Sequence, residues 1–280
     1  MGPARRPEGF PMLPLLIDRA RHADPERALL ALLAPEPARS AMAALLWLNA
    51  ELVGAYRAAS EEMVALVRFQ WWREAIERAA RGAASGHPAL DALKAPLATD
   101  AGLCSELLAL IDARERLLLQ RRFDDQKAFW SFARATSGRL HRLLLGLRQD
   151  GPAAGELAWA ERLGTAYGVT GLLRSAPWYA RLGIAVVPEE LVAPVRSLRA
   201  LAAGGEEEAL CRAVAMLAAR AEAELAAAGG APRWGHLGAV RVLARFSLAR
   251  LRQAGWDPRR SRPGPTAGLV LRLLVVHLAG

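Results

Sequence analysis

The chain has 280 residues, 53% of them hydrophobic, which suffices to bury one large core or two small ones and excludes disorder throughout. Ala and Leu dominate while β-branched residues are sparse, so the composition points to helix. The net charge of +9 rests mainly on arginine, which suits phosphate and anionic head groups or simply follows from a GC-rich genome. No nucleic-acid partner is expected.

Residues 1–24 read as an N-terminal extension, and Pro and Gly interrupt it too often for a secretory signal. Helical blocks follow at 25–33, 37–58, 60–81, 88–97, 103–121, 125–147, 155–174, 205–228, 234–253 and 266–278. Pro37 and Pro88 fit first helical turns, Asp125 fits an N-cap, and Gly204-Gly205 and Gly229-Gly230 fit connections where glycine takes positive φ. The one extended stretch, 184–187 before Pro188, reads as a connecting loop. Apolar residues 266–279 include Arg272 and fall short of the ~20 residues that span a bilayer. Cys104 and Cys211 read as buried small hydrophobes with no disulfide or zinc spacing. The five histidines read as helix-end or surface residues.

Within 45–78, helical periodicity places Leu45, Leu48 and Leu52 on one core-facing stripe and Met63, Val67, Trp71 and Ala75 on another. Glu74–Arg78 and Glu77–Arg81 are i,i+4 surface pairs. The neighbouring indoles of Trp71 and Trp72 point about 100° apart. One of them should line a cavity or a second interface, unless both cover neighbouring helices.

Five motifs stand in order. The first is Arg68-Phe69-Gln70-Trp71-Trp72-Arg73-Glu74-Ala75, followed by His87-Pro88. Next come the helix from Leu108 to Arg116, the step Ala135-Thr136-Ser137-Gly138, the helix from Leu163 to Arg174, and the loop from Ala180-Arg181 to Pro188. Over residues 29–191 this series resembles the squalene/phytoene synthase family. The resemblance implies an all-α isoprenoid synthase fold, a single multi-helix domain over 25–280 around a central cavity. It also implies the family's chemistry, head-to-head condensation of two prenyl diphosphates, in which divalent metal neutralises the leaving diphosphate.

Mg²⁺ needs carboxylate oxygens, which the family supplies from two facing aspartate-rich helices. At the first motif this chain has Val53, Gly54, Ala55, Tyr56 and Arg57, and at the second Gly171, Ser175 and Tyr179. No catalytic residue, metal or other cofactor is therefore expected. Asp112 and Glu115, flanked by Arg114 and Arg116, read as a surface ion-pair cluster, and Glu51 stands alone.

Asn49-Ala50-Glu51 together with 68–72 resembles the branch without aspartates, which includes a mitochondrial respiratory complex I assembly factor and bacterial relatives. That implies a non-catalytic assembly role. The expectation is a protein, cytoplasmic or peripheral to the inner membrane, whose cavity binds a prenyl or anionic lipid or whose surface docks a membrane-protein partner. Asn49, Glu51, Gln70, Trp71 and Tyr167 are the cavity candidates, with Arg57, Arg174 and Arg181 at its polar mouth unless they pair with Glu51, Glu189 or Glu190. The alternative is an active prenyl-diphosphate transferase with Mg²⁺ held by Glu51, Asp112 and Glu115.

Overall fold

Start signals in the sequence become caps in the structure. Asp24 accepts a hydrogen bond from the Arg27 N–H with Pro25 in the first turn, Asp100 accepts from Gly102, Asp125 from Ala128 and Thr266 from Leu269. Each satisfies a backbone donor that the first turn leaves without a partner. The computed structural model describes residues 12–59, 61–148, 151–153, 155–203, 207–233, 235–261 and 264–279. Gly204 and Gly205, residues 1–11 of the extension, and the block starts at 60, 205 and 234 lie outside them.

The helices are α1 (Met12–Ala23), α2 (Pro25–Leu33), α3 (Ala38–Gly54), α4 (Glu62–Ala80), α5 (Pro88–Ala92), α6 (Lys94–Thr99) and α7 (Ala101–Gln120). They continue with α8 (Gln126–Ala133), α9 (Arg139–Gly146), α10 (Glu156–Arg181), α11 (Pro194–Ala203), α12 (Glu207–Ala227), α13 (Gly235–Gln253) and α14 (Ala267–Leu278). A 3₁₀ turn, Ala55–Ala58, continues α3, and a π turn, Arg134–Gly138, joins α8 to α9. One hydrophobic core runs from Leu16 to Leu273. No β-sheet occurs among the described residues: Ile184–Val187 makes only a single bridge, Arg122 to Ala185, and serves as the expected connector.

Several elements differ from the pattern. Residues 12–23 of the N-terminal extension form α1, whose Leu16 and Ala20 are buried against α3. Pro14 sits in its first turn, where a missing N–H does no harm. In α4 the buried stripe is Ala65, Phe69, Trp72, Ile76 and Ala79 together with Ala75, while Met63, Val67 and Trp71 are exposed. Helix α10 continues past Arg174 through Pro177, carrying Trp178 and Tyr179 with it. Cys104 and Cys211 are half-buried. Gly229 and Gly230 connect α12 to α13 without positive φ.

Candidate functional site

Three segments surround a cavity of about 380 Å³. Helix α3 and its 3₁₀ turn contribute Asn49, Val53, Gly54 and Arg57, and α10 contributes Gly168, Gly171, Leu172, Ser175, Trp178 and Tyr179. The π turn and its flanks contribute Phe132, Thr136, Ser137 and Leu140. Arg114 of α7 and the α1–α2 corner, Asp24 and Arg27, complete the wall. The volume is at the small end of the roughly 300–1,000 Å³ typical of ligand pockets.

Glycine decides how closely α10 approaches the α8–α9 segment. A Cβ on Gly164 would lie 2.6 Å from His141 Cβ, and one on Gly168 would overlap Ser137 Cβ. Three residues on, the situation reverses. A Cβ on Gly171 would meet nothing within 4 Å, because Gly171 faces the open cavity.

Arginine dominates the polar side. The Arg27 guanidinium donates to Asp24 Oδ2 at 2.5 Å, Ser137 Oγ at 2.7 Å and His141 Nε2 at 3.2 Å, and stacks over the Tyr167 ring at 4.6 Å. Asp24 is the one carboxylate among the cavity's lining residues. Its Oδ1 caps α2 while its Oδ2 neutralises Arg27. Arg114 is buried without any acidic partner among the described residues. It donates to the neutral Asn49 Oδ1 at 2.5 Å and to the Leu110 carbonyl at 2.8 Å. Burial lowers its pKa, and Arg27 adds to the effect by repulsion. Arg57, exposed at the rim, has no ion-pair partner among the described residues.

All six positions read as former metal-motif sites, Val53, Gly54, Arg57, Gly171, Ser175 and Tyr179, line this one cavity. They supply no carboxylate. Mg²⁺ takes an octahedron of oxygens anchored by one or two acids, whereas the cavity's single acid is already held by Arg27. Among the described residues no cluster of three acidic, histidine or cysteine side chains could hold a metal ion. The donor set does not fit a divalent cation.

Of the cavity candidates, Asn49 lines the wall and the others do not. Glu51 is exposed and accepts from Trp47 Nε1 at 2.9 Å. Gln70 and Trp71 lie on the outer face of α4, Gln70 donating to Glu74 and Trp71 packing edge-on against Trp72. Neither indole lines the cavity; Trp72 is buried beside His87. Arg174 is not at a mouth. It forms a two-pronged pair with Glu26, at 2.9 and 2.8 Å, and donates to Ser247 Oγ at 2.7 Å. Tyr167 is buried beneath it and donates to Glu26 Oε2 at 2.9 Å. Arg181 is exposed at the end of α10. Glu189 pairs instead with Arg122, and Glu190 accepts from the Gln126 N–H. Asp112 and Glu115 do form an ion-pair cluster, but the cation is Arg73 of α4, while Arg114 turns inward.

Glu26, Arg27, Arg114 and His141 escape a reading of the sequence because their roles depend on contacts more than sixty residues away. The one local signal was the cap, an aspartate before Pro25. His141 is fully buried rather than superficial. Since Arg27 can only donate, His141 Nε2 accepts and the ring proton sits on Nδ1. Burial pushes its pKa well below the ordinary histidine value, with Arg27 contributing, and burial takes His236 down to about 4. Folded-state values below the unfolded one mean stability present above about pH 6.5 and lost as pH falls, by up to about 1.4 kcal/mol per pH unit for His141. Thermal melts should therefore show Tm falling between about pH 7 and 5, and a flat profile would contradict a neutral buried His141.

A second hollow, about 590 Å³, lies among α2, α3, α9, α13 and the end of α14, lined by Leu30, Leu33, Met42, Leu145 and Leu237 among others. It shares no lining residue with the arginine cavity.

The family profile "squalene/phytoene synthase" matches residues 20–264. The chain is similar to the crystal structure of squalene synthase HpnC from Alicyclobacillus acidocaldarius, with a TM-score of 0.69 at 20% identity over 88% of this chain and 95% of that one. It is also similar to a dehydrosqualene synthase solved in complex with ligand, with a TM-score of 0.76 at 13% identity over 94% of each chain. At these identities the likeness establishes the fold, not the activity. No curated protein matches the sequence. A single helical domain of the isoprenoid synthase fold, matched by the family profile over most of its length, this chain belongs to the squalene/phytoene synthase family.

Proposed function

We propose that this chain is a non-catalytic member that uses the family cavity to hold an anionic amphiphile, such as a prenyl diphosphate or phosphorylated lipid, without metal. One observation carries the reading: the cavity's charged lining is Arg27, Arg57 and Arg114 against the single, already neutralised Asp24. Guanidinium groups suit phosphate oxygens and form charge-assisted hydrogen bonds to them. The apolar remainder, Val53, Phe132, Leu140, Leu172 and Trp178, suits a hydrocarbon chain.

Farnesyl or geranylgeranyl diphosphate with Mg²⁺ is expected to yield no squalene or phytoene. Calorimetric titration with farnesyl diphosphate in EDTA should still show binding, and Gly171→Leu, which fills the cavity from a position with free space, should weaken it at least tenfold. Metal-dependent diphosphate release abolished by Glu51→Gln would establish the prenyl-transferase alternative instead.

A second reading, docking of a membrane-protein partner during assembly, draws on the exposed apolar row Met63, Val67 and Trp71 of α4. Under it, Val67→Glu breaks the complex and Gly171→Leu leaves it intact.

A further inference from the structure

We infer that α14 and the arginine-rich segment before it form a docking face for the surface of an anionic lipid bilayer. Arginines run the length of the chain, but the acids do not. After Glu224 the sequence contains nine arginines and one acid, Asp257, so residues 225–280 hold a net +8 of the chain's +9. The apolar counterpart is α14. At 100° per residue, Leu269, Leu273 and Val276 form the stripe that docks it: the first two are buried, and Val276 lies against Gly238 of α13.

The opposite side of α14 is apolar and uncovered. Leu271 is 64% exposed, Leu274 41%, Val275 53% and Leu278 82%, with Val270 beside them. Arg272 and His277, the only ionisable residues of the helix, fall at the two borders of that apolar arc. An outward apolar face edged by polar side chains, one of them an arginine, is the arrangement of a helix lying in the bilayer interface, the hydrocarbon side chains entering below the head groups and the polar ends staying among them. The twelve residues of α14 are too few to cross a bilayer, which needs about 20.

Charge selects among the possible occupants. In a two-fold contact with a second copy, the same patch meets itself, which would bring together two chains of net charge +9 with Arg272 at the contact. An anionic membrane surface offers the opposite sign to that excess.

The test is co-sedimentation of the intact chain with vesicles of phosphatidylcholine alone or mixed with phosphatidylglycerol, read with light scattering and thermal melts. The protein is expected to pellet with the anionic vesicles and not the neutral ones, and added salt should weaken the association. The double variant Leu271→Glu, Leu274→Glu should partition at least tenfold less at unchanged Tm, because both side chains are exposed. Gly171→Leu should pellet normally, which separates this surface from the internal cavity. Equal binding to both vesicle types, undiminished binding of the double variant, or no vesicle binding would each overturn the inference. In the last case, a dimer that the double variant dissociates would assign the face to a second copy, and a monomer would assign it to a protein partner.

Discussion

Glu26→Gln is expected to lower the stability of the fold by about 3–5 kcal/mol, the range observed when one partner of a buried ion pair is removed and the other is left in place. Glu26 and Arg174 are almost inaccessible, with side chains 5% and 11% exposed. The carboxylate receives two donors from Arg174 and one from Tyr167. Burial alone would raise the Glu26 pKa. The hydrogen bonds and charge of Arg174, with the Tyr167 hydroxyl, outweigh it and hold the pKa below the ordinary glutamate value. The sign follows from that depression. The contribution of Glu26 is complete above the unfolded-state pKa and is lost as pH falls through the folded one, so the variant should flatten the acid limb of the stability profile. Chemical denaturation across pH measures both effects, and a loss below about 1 kcal/mol would refute the role. Replacing both residues with methionine should recover much of the loss, since an apolar pair leaves no stranded charge. Arg174→Glu would place two carboxylates together inside the protein.

The second large effect comes from two glycines of one helix that should respond in opposite directions. Gly168→Ala drives a methyl into Ser137 Cβ, an atom fixed to the backbone of the π turn. Overpacking of this kind costs about 1–3 kcal/mol. Gly171→Ala meets no atom within 4 Å and should gain up to about 1 kcal/mol from the better helix propensity of alanine. Urea denaturation of the two variants gives the comparison. Equal effects would mean that the close approach of α10 to the π turn is absent in solution.

The fold was legible because its signals are local. Aspartate caps, first-turn prolines and helical periodicity all act within a few residues, which is why both ends of α2 and α14 and the start of α8 fall where the pattern placed them. The positions that the resemblance assigns to metal motifs were legible for a related reason: family spacing brought Val53, Gly54, Arg57, Gly171, Ser175 and Tyr179 to one cavity, from its two sides. Partners of the arginines were not legible. Arg174 meets Glu26 across 148 residues and Arg114 meets Asn49 across 65, and no periodicity encodes such pairings. The stripe on α4 failed because hydrophobicity alone cannot separate a buried face from an apolar face left uncovered. Met63, Val67 and Trp71 satisfy the pattern of a core as well as Phe69, Trp72 and Ile76 do.

Helix α10 is clamped at two levels: below by the glycine contacts of Gly164 and Gly168 with His141 and Ser137, above by the grip of Glu26 and Ser247 on Arg174. Gly171 lies in the interval between the clamps, so this wall of the cavity behaves as a beam supported at both ends. Its position is set by backbone contact and a buried ion pair, neither of which yields to small side-chain rearrangements. The opposite wall, from Asn49 to Arg57, has no equivalent restraint among its cavity-facing residues beyond the bond of Asn49 to Arg114. For the ligand proposed above, preference can therefore drift by substitution along that wall while the beam, and with it the architecture, stays unchanged.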